Sequence, residues 1–291
     1  MHAYLFPGQG TQFPGMGKEL YHTSNLAKEL FEKANAILGY SITDVMFTGS
    51  TEDLKQTKYA QPAIFLHSYI LAKSLGTAFK PDMVAGHSLG EITALACTGA
   101  LDFELALQLI SKRAEAMQKA CDIENTGMAI VVGLFDVIVT DICDSIDGVV
   151  VPANYNALHQ VVISGEKKAL KEACTKLTPG AKTVVNLPVS GAFHSPFMKP
   201  VVKEFKKAVA ETPFKKPLCP IYQNIAGRPT QEVSILKENL INQLTAPVMW
   251  RQGILHMIED GATKFTEIGP GNFLKGLVSQ IDKNVTIAGI S

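Results

Sequence analysis

The stretch Met83-Val84-Ala85-Gly86-His87-Ser88-Leu89-Gly90-Glu91-Ile92-Thr93-Ala94-Leu95-Ala96-Cys97 decides the fold. Its first three residues, after Pro81-Asp82, read as a short buried strand, and residues 91–97 read as a helix that Gly99 can end. Between them, Gly86-His87-Ser88-Leu89-Gly90 fits G-x-S-x-G, the nucleophile elbow. In that turn a serine stands at a sharp strand-to-helix corner, and small residues two before and two after it let the corner close. A glycine-rich turn with a capping serine would give the same letters. The strand before and the helix after favour the reactive reading.

The chain has 291 residues, 46% hydrophobic and only 19% charged, which is ample for a large core and two lobes. Lys plus Arg is 27 and Asp plus Glu is 27, so no bulk charge argues for nucleic acid, although local basic patches remain open. Five cysteines (Cys97, Cys121, Cys143, Cys174 and Cys219) form no C-x-x-C pair and are odd in number. That speaks against a zinc site or a disulfide framework and for a reducing, cytoplasmic compartment. Met1-His2-Ala3-Tyr4-Leu5-Phe6 lacks the basic and apolar regions of a signal peptide, and no apolar run suffices to span a bilayer.

Outward from the elbow, strands are expected at 3–6, 127–134, 149–153, 160–164, 183–187, 218–223, 264–268 and 285–289. Helices are expected at 25–38, 61–75, 103–119, 136–146, 166–177, 200–210, 235–244, 251–260 and 272–280. Residues 127–187 read β-α-β-β-α-β, the pattern of a ferredoxin-like module. Elsewhere strands alternate with helices, which argues for a mostly parallel sheet covered on both faces. The expected fold is therefore α/β: a large α/β-hydrolase-like catalytic lobe formed by residues 1–125 and 196–291, with a small ferredoxin-like lobe, 126–195, inserted in it.

A serine hydroxyl needs a base to take its proton. Of seven histidines, His67 and His256 lie within helical patterns, and His87 is a structural neighbour of Ser88 that points elsewhere. His194 stands in Pro188-Val189-Ser190-Gly191-Ala192-Phe193-His194-Ser195-Pro196-Phe197, a proline-bracketed loop where the small lobe returns to the large one, and active sites favour such clefts. Arg113 shares an otherwise apolar helical face with Ala106, Ile110 and Met117. Its guanidinium cannot lose its charge, so it is either a buried ion pair, a snorkelling side chain, or a clamp for a substrate carboxylate. The nearness of the elbow helix favours the clamp, with Met117 beside it as a second substrate-binding candidate. Gly8-Gln9-Gly10-Thr11-Gln12 lacks the third glycine of a dinucleotide fingerprint and the lysine of a P-loop, but a loop of this kind beside an elbow can give a backbone N–H to an oxyanion hole.

Together these residues resemble the malonyl-CoA:acyl-carrier-protein transacylases and the related acyltransferase domains of polyketide synthases. The resemblance runs through residues 6–12, Gly86–Glu91, Arg113 within 112–118, Gly191–Pro196, Asn239–Trp250 and Glu267–Gly271 in that order. It implies Ser88 as nucleophile, His194 as base, Gln9 and Leu89 N–H groups as the oxyanion hole, and Arg113 as the hold on the malonyl carboxylate. It also implies that a backbone carbonyl, here at Gln243, orients the histidine in place of a carboxylate. Ala192-Phe193-His194 resembles the malonyl-selective form of the polyketide relatives, and Thr11 stands where serine is common.

The implied reaction moves malonyl from malonyl-CoA to the phosphopantetheine thiol of acyl carrier protein through malonyl-Ser88, for fatty-acid elongation, with no metal or cofactor and as a monomer. Two exposed-looking lysine runs, 199/203/206/207 and 167/168/171, are candidate docking patches for an acidic carrier, or simply solvated faces. A hydrolase using the same elbow, or a non-catalytic carrier-binding module, are the competing classes. The first would have no need of Arg113, and the second no need of an intact Ser88, His194, Arg113 and Gln9.

Overall fold

The computed structural model describes residues 1–123, 125–189 and 191–291; Ser190, in the loop quoted before His194, lies outside them. Among the described residues ten strands run in chain order: β1 (His2–Phe6), β2 (Met83–Gly86), β3 (Thr126–Val132), β4 (Val150–Ala157), β5 (Gln160–Glu166), β6 (Thr183–Asn186), β7 (Ile221–Tyr222), β8 (Pro229–Thr230), β9 (Lys264–Ile268) and β10 (Thr286–Ile290). They form a six-stranded sheet ordered β10-β9-β1-β2-β7-β8 and a four-stranded sheet ordered β4-β5-β3-β6. The larger sheet is parallel except for β8, which pairs antiparallel with β7.

The two central strands are apolar on both faces, as a strand covered on both sides must be. Ala3 and Leu5 of β1 and Met83 and Ala85 of β2 enter one core with Trp250, Ile254 and Phe265. Tyr4, Phe6 and Val84 enter the other with Ile64, Leu95 and Ile110. Register pairs Phe6 with Gly86, so both strands end at the same level. The loops that follow, Pro7-Gly8-Gln9 and His87-Ser88, therefore touch: a Cβ on Gly8 would lie 2.5 Å from the His87 carbonyl oxygen. The carboxyl ends of central strands in open α/β sheets are where ligands bind.

The smaller sheet is antiparallel throughout. Ala129, Val131, Val161 and Ile163 bury one of its faces against the helices Asp136–Asp144 and Lys167–Leu177, the β-α-β-β-α-β arrangement read from the sequence. Met128 and Val162, on the other face, join the core of the larger sheet. A short parallel bridge ties the smaller sheet to the segment before the helix Trp250–Glu259, with Tyr155 N–H donating to Val248 O at 2.9 Å and Val248 N–H to Ala153 O at 2.8 Å.

Some elements differ from expectation. The strand read over 218–223 is only Ile221–Tyr222, because Pro220 has no N–H for a ladder. The helix read from 61 starts at Thr57 and carries Pro62 inside it. The Lys58 carbonyl, left without the Pro62 N–H, accepts from the Tyr40 hydroxyl at 3.5 Å. Among the described residues no helix is long and apolar enough to cross a membrane.

Candidate active site

Ser88 follows β2 directly, and its φ of 52° is left-handed, a costly conformation for a residue with a side chain. The flanking glycines make it possible. A Cβ on Gly86 would lie 1.9 Å from the Gly90 carbonyl, and one on Gly90 would lie 2.0 Å from Phe6 O. Asn224, just past β7, holds the corner: its Oδ1 accepts from Ser88 N–H at 2.6 Å and its Nδ2 donates to Gly86 O at 2.6 Å.

His194 also has a left-handed φ, 55°, and is buried. Its Nε2 lies 2.8 Å from Ser88 Oγ and its Nδ1 2.8 Å from Gln243 O. A carbonyl oxygen only accepts, so Nδ1 carries the proton and Nε2 is left bare to receive the hydrogen of Ser88 Oγ. Gln243 ends the helix Val233–Asn242, where carbonyls have no intrahelical partner. Burial first, and the nearby Arg113 charge second, push the His194 pKa down to about 3, so at neutral pH the ring is uncharged.

Arg113 lies in the helix Phe103–Ile123 and is 1% exposed. It donates to Gln61 Oε1 at 2.7 Å, to Gln243 Oε1 at 2.9 Å and to Ser88 Oγ at 3.1 Å. Its buried Nε–H has no acceptor among the described residues. Burial lowers its pKa to about 10, opposed by Glu91, so the guanidinium stays charged at neutral pH. Glu91 is fully buried and accepts from Gln223 Nε2, Asn224 N–H and Gln243 Nε2 at 2.8, 2.8 and 3.1 Å. No carboxylate touches Arg113 among the described residues.

These groups border a cavity of about 100 Å³ that also meets Gln9, Leu89, Met117 and Phe193. The backbone N–H groups of Gln9 and Leu89 have no acceptor among the described residues. A second cavity of about 320 Å³, mostly apolar, shares Gln9, Asn156, Val162, Leu187 and Phe273 with the first. It is also lined by Gly10 and Lys55. His87 faces away from Ser88, with Nε2 2.9 Å from Asn156 Oδ1 on the small sheet. Among the described residues no group of three or more His, Cys, Asp or Glu is placed to hold a metal ion.

Ser88, His194, Gln243 and Arg113 thus converge, with Gln9, Leu89 and Met117 on the same cavity. The sequence reading missed Gln61, Asn224 and Gln223, which hold the site, and gave Glu91 no task. The arrangement is chemically able to make a serine attack a carbonyl whose other end carries a negative charge.

Comparison with known proteins agrees with this geometry. The acyl transferase domain family matches residues 3–287. A malonyl CoA-acyl carrier protein transacylase of Bacillus subtilis is 38% identical over 295 residues, covering 99% of this chain and 93% of that protein. The structure of a malonyl CoA-acyl carrier protein transacylase from Coxiella burnetii superposes with a TM-score of 0.95 at 35% identity, over 99% of this chain and 93% of that one. A malonyl-transacylase solved in complex with its type II polyketide acyl-carrier protein gives 0.95 at 32% identity, over 99% and 95%. With the family spanning nearly the whole chain and these relatives sharing its fold end to end, the protein belongs to the acyl transferase domain family.

Proposed function

We propose that the protein transfers malonyl from malonyl-CoA to the phosphopantetheine thiol of acyl carrier protein through malonyl-Ser88. One observation carries the reading: a buried guanidinium with no carboxylate partner among the described residues stands 3.1 Å from a serine oxygen that is itself 2.8 Å from a neutral histidine. His194 Nε2 takes the Ser88 proton as Oγ attacks the thioester carbonyl. The Gln9 and Leu89 N–H groups receive the oxyanion, each worth roughly 3 kcal/mol of barrier. As the tetrahedral intermediate collapses, the C–S bond breaks and His194 returns its proton to the departing CoA thiolate. The carrier thiol then gives its proton to His194, attacks malonyl-Ser88, and Ser88 Oγ leaves with that proton. Arg113 meets the free carboxylate in both halves.

The names of the relatives support malonyl and carrier protein as substrates, and the mostly apolar cavity beside the site suits a pantetheine arm. We further propose a division into a large lobe, 1–125 with 196–291, and a small lobe, 126–195, with Ser88 and Arg113 on the first and His194 on the second. We also propose that the protein works as a monomer, since the reaction as written needs no residue beyond Ser88, His194, Gln243, Arg113 and the Gln9 and Leu89 N–H groups. The five free thiols support a cytoplasmic setting.

The test incubates protein with malonyl-CoA, with and without pantetheinylated carrier protein, and follows the products by intact-mass spectrometry. A malonyl adduct present in the wild type, absent in Ser88→Ala, and passed to the carrier is expected. Free malonate in place of malonyl-carrier would mean a hydrolase, and an adduct persisting in Ser88→Ala would remove Ser88 from its role.

A further inference from the structure

The site contains one buried carboxylate that the proposed reaction does not use, and its placement relative to Arg113 is unusual. A buried cation normally sits directly against an anion, because an unpaired charge in the interior is costly. Here the amide of Gln243 stands between the two: Arg113 Nη2 donates to Gln243 Oε1 at 2.9 Å, and Gln243 Nε2 donates to Glu91 Oε2 at 3.1 Å.

The amide cannot turn over. Gln243 Nε2 also faces Ser88 O at 3.1 Å and Asn224 Oδ1 at 3.3 Å, both acceptors. Gln223 is fixed in the same way, its Nε2 donating to Leu236 O at 3.1 Å and its Oε1 accepting from Asn239 Nδ2 at 2.9 Å. Every polar partner of Glu91 among the described residues is therefore a donor, and a carboxylic acid proton would find no acceptor among them. The geometry serves the ionised form although burial pushes the Glu91 pKa up.

We propose that Glu91 is a positioning residue acting through Gln243: an offset counter-charge that holds Arg113 in the empty site without occupying it, and that limits how tightly the acyl carboxylate is gripped. Direct pairing would close the guanidinium to substrate. With no counter-charge, the incoming carboxylate would become the only anion for a buried cation, and it would be held too firmly for a group that must leave again. This rests on the reading that Arg113 binds the carboxylate of the acyl group.

The test compares Glu91→Gln and Glu91→Asp with wild type, using malonyl-CoA and acetyl-CoA as the two probes and carrier protein as acceptor. Glu91→Gln keeps the size and removes the charge, while its NH2 replaces one of the oxygens that now accept from Gln223, Asn224 and Gln243. It is expected to lower KM for malonyl-CoA about tenfold, as an opposing charge one amide beyond the guanidinium implies, and to leave KM for acetyl-CoA within about twofold of wild type. Turnover with malonyl falls while turnover with acetyl does not. Glu91→Asp sets the charge back by one methylene and gives a smaller shift in the same direction, and it carries the test alone if Glu91→Gln does not fold. A malonyl KM that is unchanged or raised, or a parallel loss with both acyl groups, overturns the proposal and leaves Glu91 a purely structural residue. Equal KM values for the two thioesters in wild type would instead refute the Arg113 reading beneath it.

Discussion

Replacing Arg113 by methionine is the sharpest test of acyl selection. Methionine retains an unbranched apolar stem for the buried helix face and removes all five N–H donors. Three of them are used in the empty site, by Gln61, Gln243 and Ser88, and the Nε–H meets no acceptor among the described residues. In the proposed complex a carboxylate takes two charge-assisted bonds, each worth about 1.5–3 kcal/mol. Losing both, with the carboxylate now facing Glu91 without an intervening cation, costs about 4 kcal/mol, or roughly a thousandfold in kcat/KM for malonyl. An acetyl group makes neither bond, so its kcat/KM stays within about tenfold of wild type. Stability changes less than activity, because leaving Gln61 Oε1 and Gln243 Oε1 unpaired is offset by no longer burying a cation. The assay is competitive transfer to carrier protein from a mixture of the two thioesters, so that misfolded protein cancels from the ratio. A malonyl loss below tenfold, or an equal loss with acetyl, refutes the clamp.

Gly90→Ala, whose Cβ would meet Phe6 O at 2.0 Å, is expected to lose more than about 3 kcal/mol of stability or not fold, whereas Gly276→Ala, with nothing within 4 Å in the helix Phe273–Ile281, gains up to about 1 kcal/mol. Chemical denaturation reads both, and a tolerated Gly90→Ala would contradict the elbow packing. His67, buried and away from Ser88, has its pKa pushed down to about 4 by burial. The unfolded chain binds that proton near pH 6.5 and the folded chain only near 4, so stability is lost as pH falls through this window, with a slope for this one group that rises to about 1.4 kcal/mol per unit between pH 6 and 5. Denaturation at pH 7, 6 and 5 is expected to show His67→Gln flatter by that slope; identical slopes would disprove it. The His194 ring is kept neutral partly by Arg113, so a bound malonyl carboxylate that screens Arg113 raises its pKa. The acid limb of kcat then lies at higher pH for malonyl than for acetyl, and coincident limbs in the two pH profiles would count against that coupling.

The parts of this site that announce themselves in the sequence are those enforced by local geometry. Gly86 and Gly90 are legible because the corner excludes any Cβ, and Arg113 because a charge interrupts an apolar helical stripe. Gln61, Asn224 and Gln223 carry no such mark. An amide has no periodicity, and each finds its partner far along the chain, Asn224 meeting Ser88 across 136 residues and Gln61 meeting Arg113 across 52. Gln243 acts on His194 through its main chain, which no side-chain pattern can disclose, and it was reached only by family resemblance. The short helices Lys18–Thr23, Ile42–Thr48 and Thr51–Lys55 went unread because none is long enough to show a 3.6-residue stripe. The third still offered a local sign, the Ser50–Asp53 capping box.

The choice of a carbonyl behind His194 and a cation before Ser88 belongs to one electrostatic arrangement. A carboxylate bonded to His194 Nδ1 would strengthen the base, but it would also place a full negative charge in the same small pocket as the guanidinium that is to read the substrate. Gln243 avoids this by giving its neutral main-chain oxygen to the histidine and its side-chain oxygen to Arg113. One residue thereby orients the base and anchors the cation, and neither bond neutralises a charge. The negative charge the buried cation needs is set one amide further back, on Glu91. Burial first and Arg113 second hold the His194 pKa down to about 3 in the empty site, and on the proposed reading an acyl group with its own carboxylate offsets the Arg113 share and strengthens the base. In the proposed reaction a thioester without that carboxylate leaves the base weak and the cation unanswered, so binding and proton transfer would select the same acyl group through the same guanidinium.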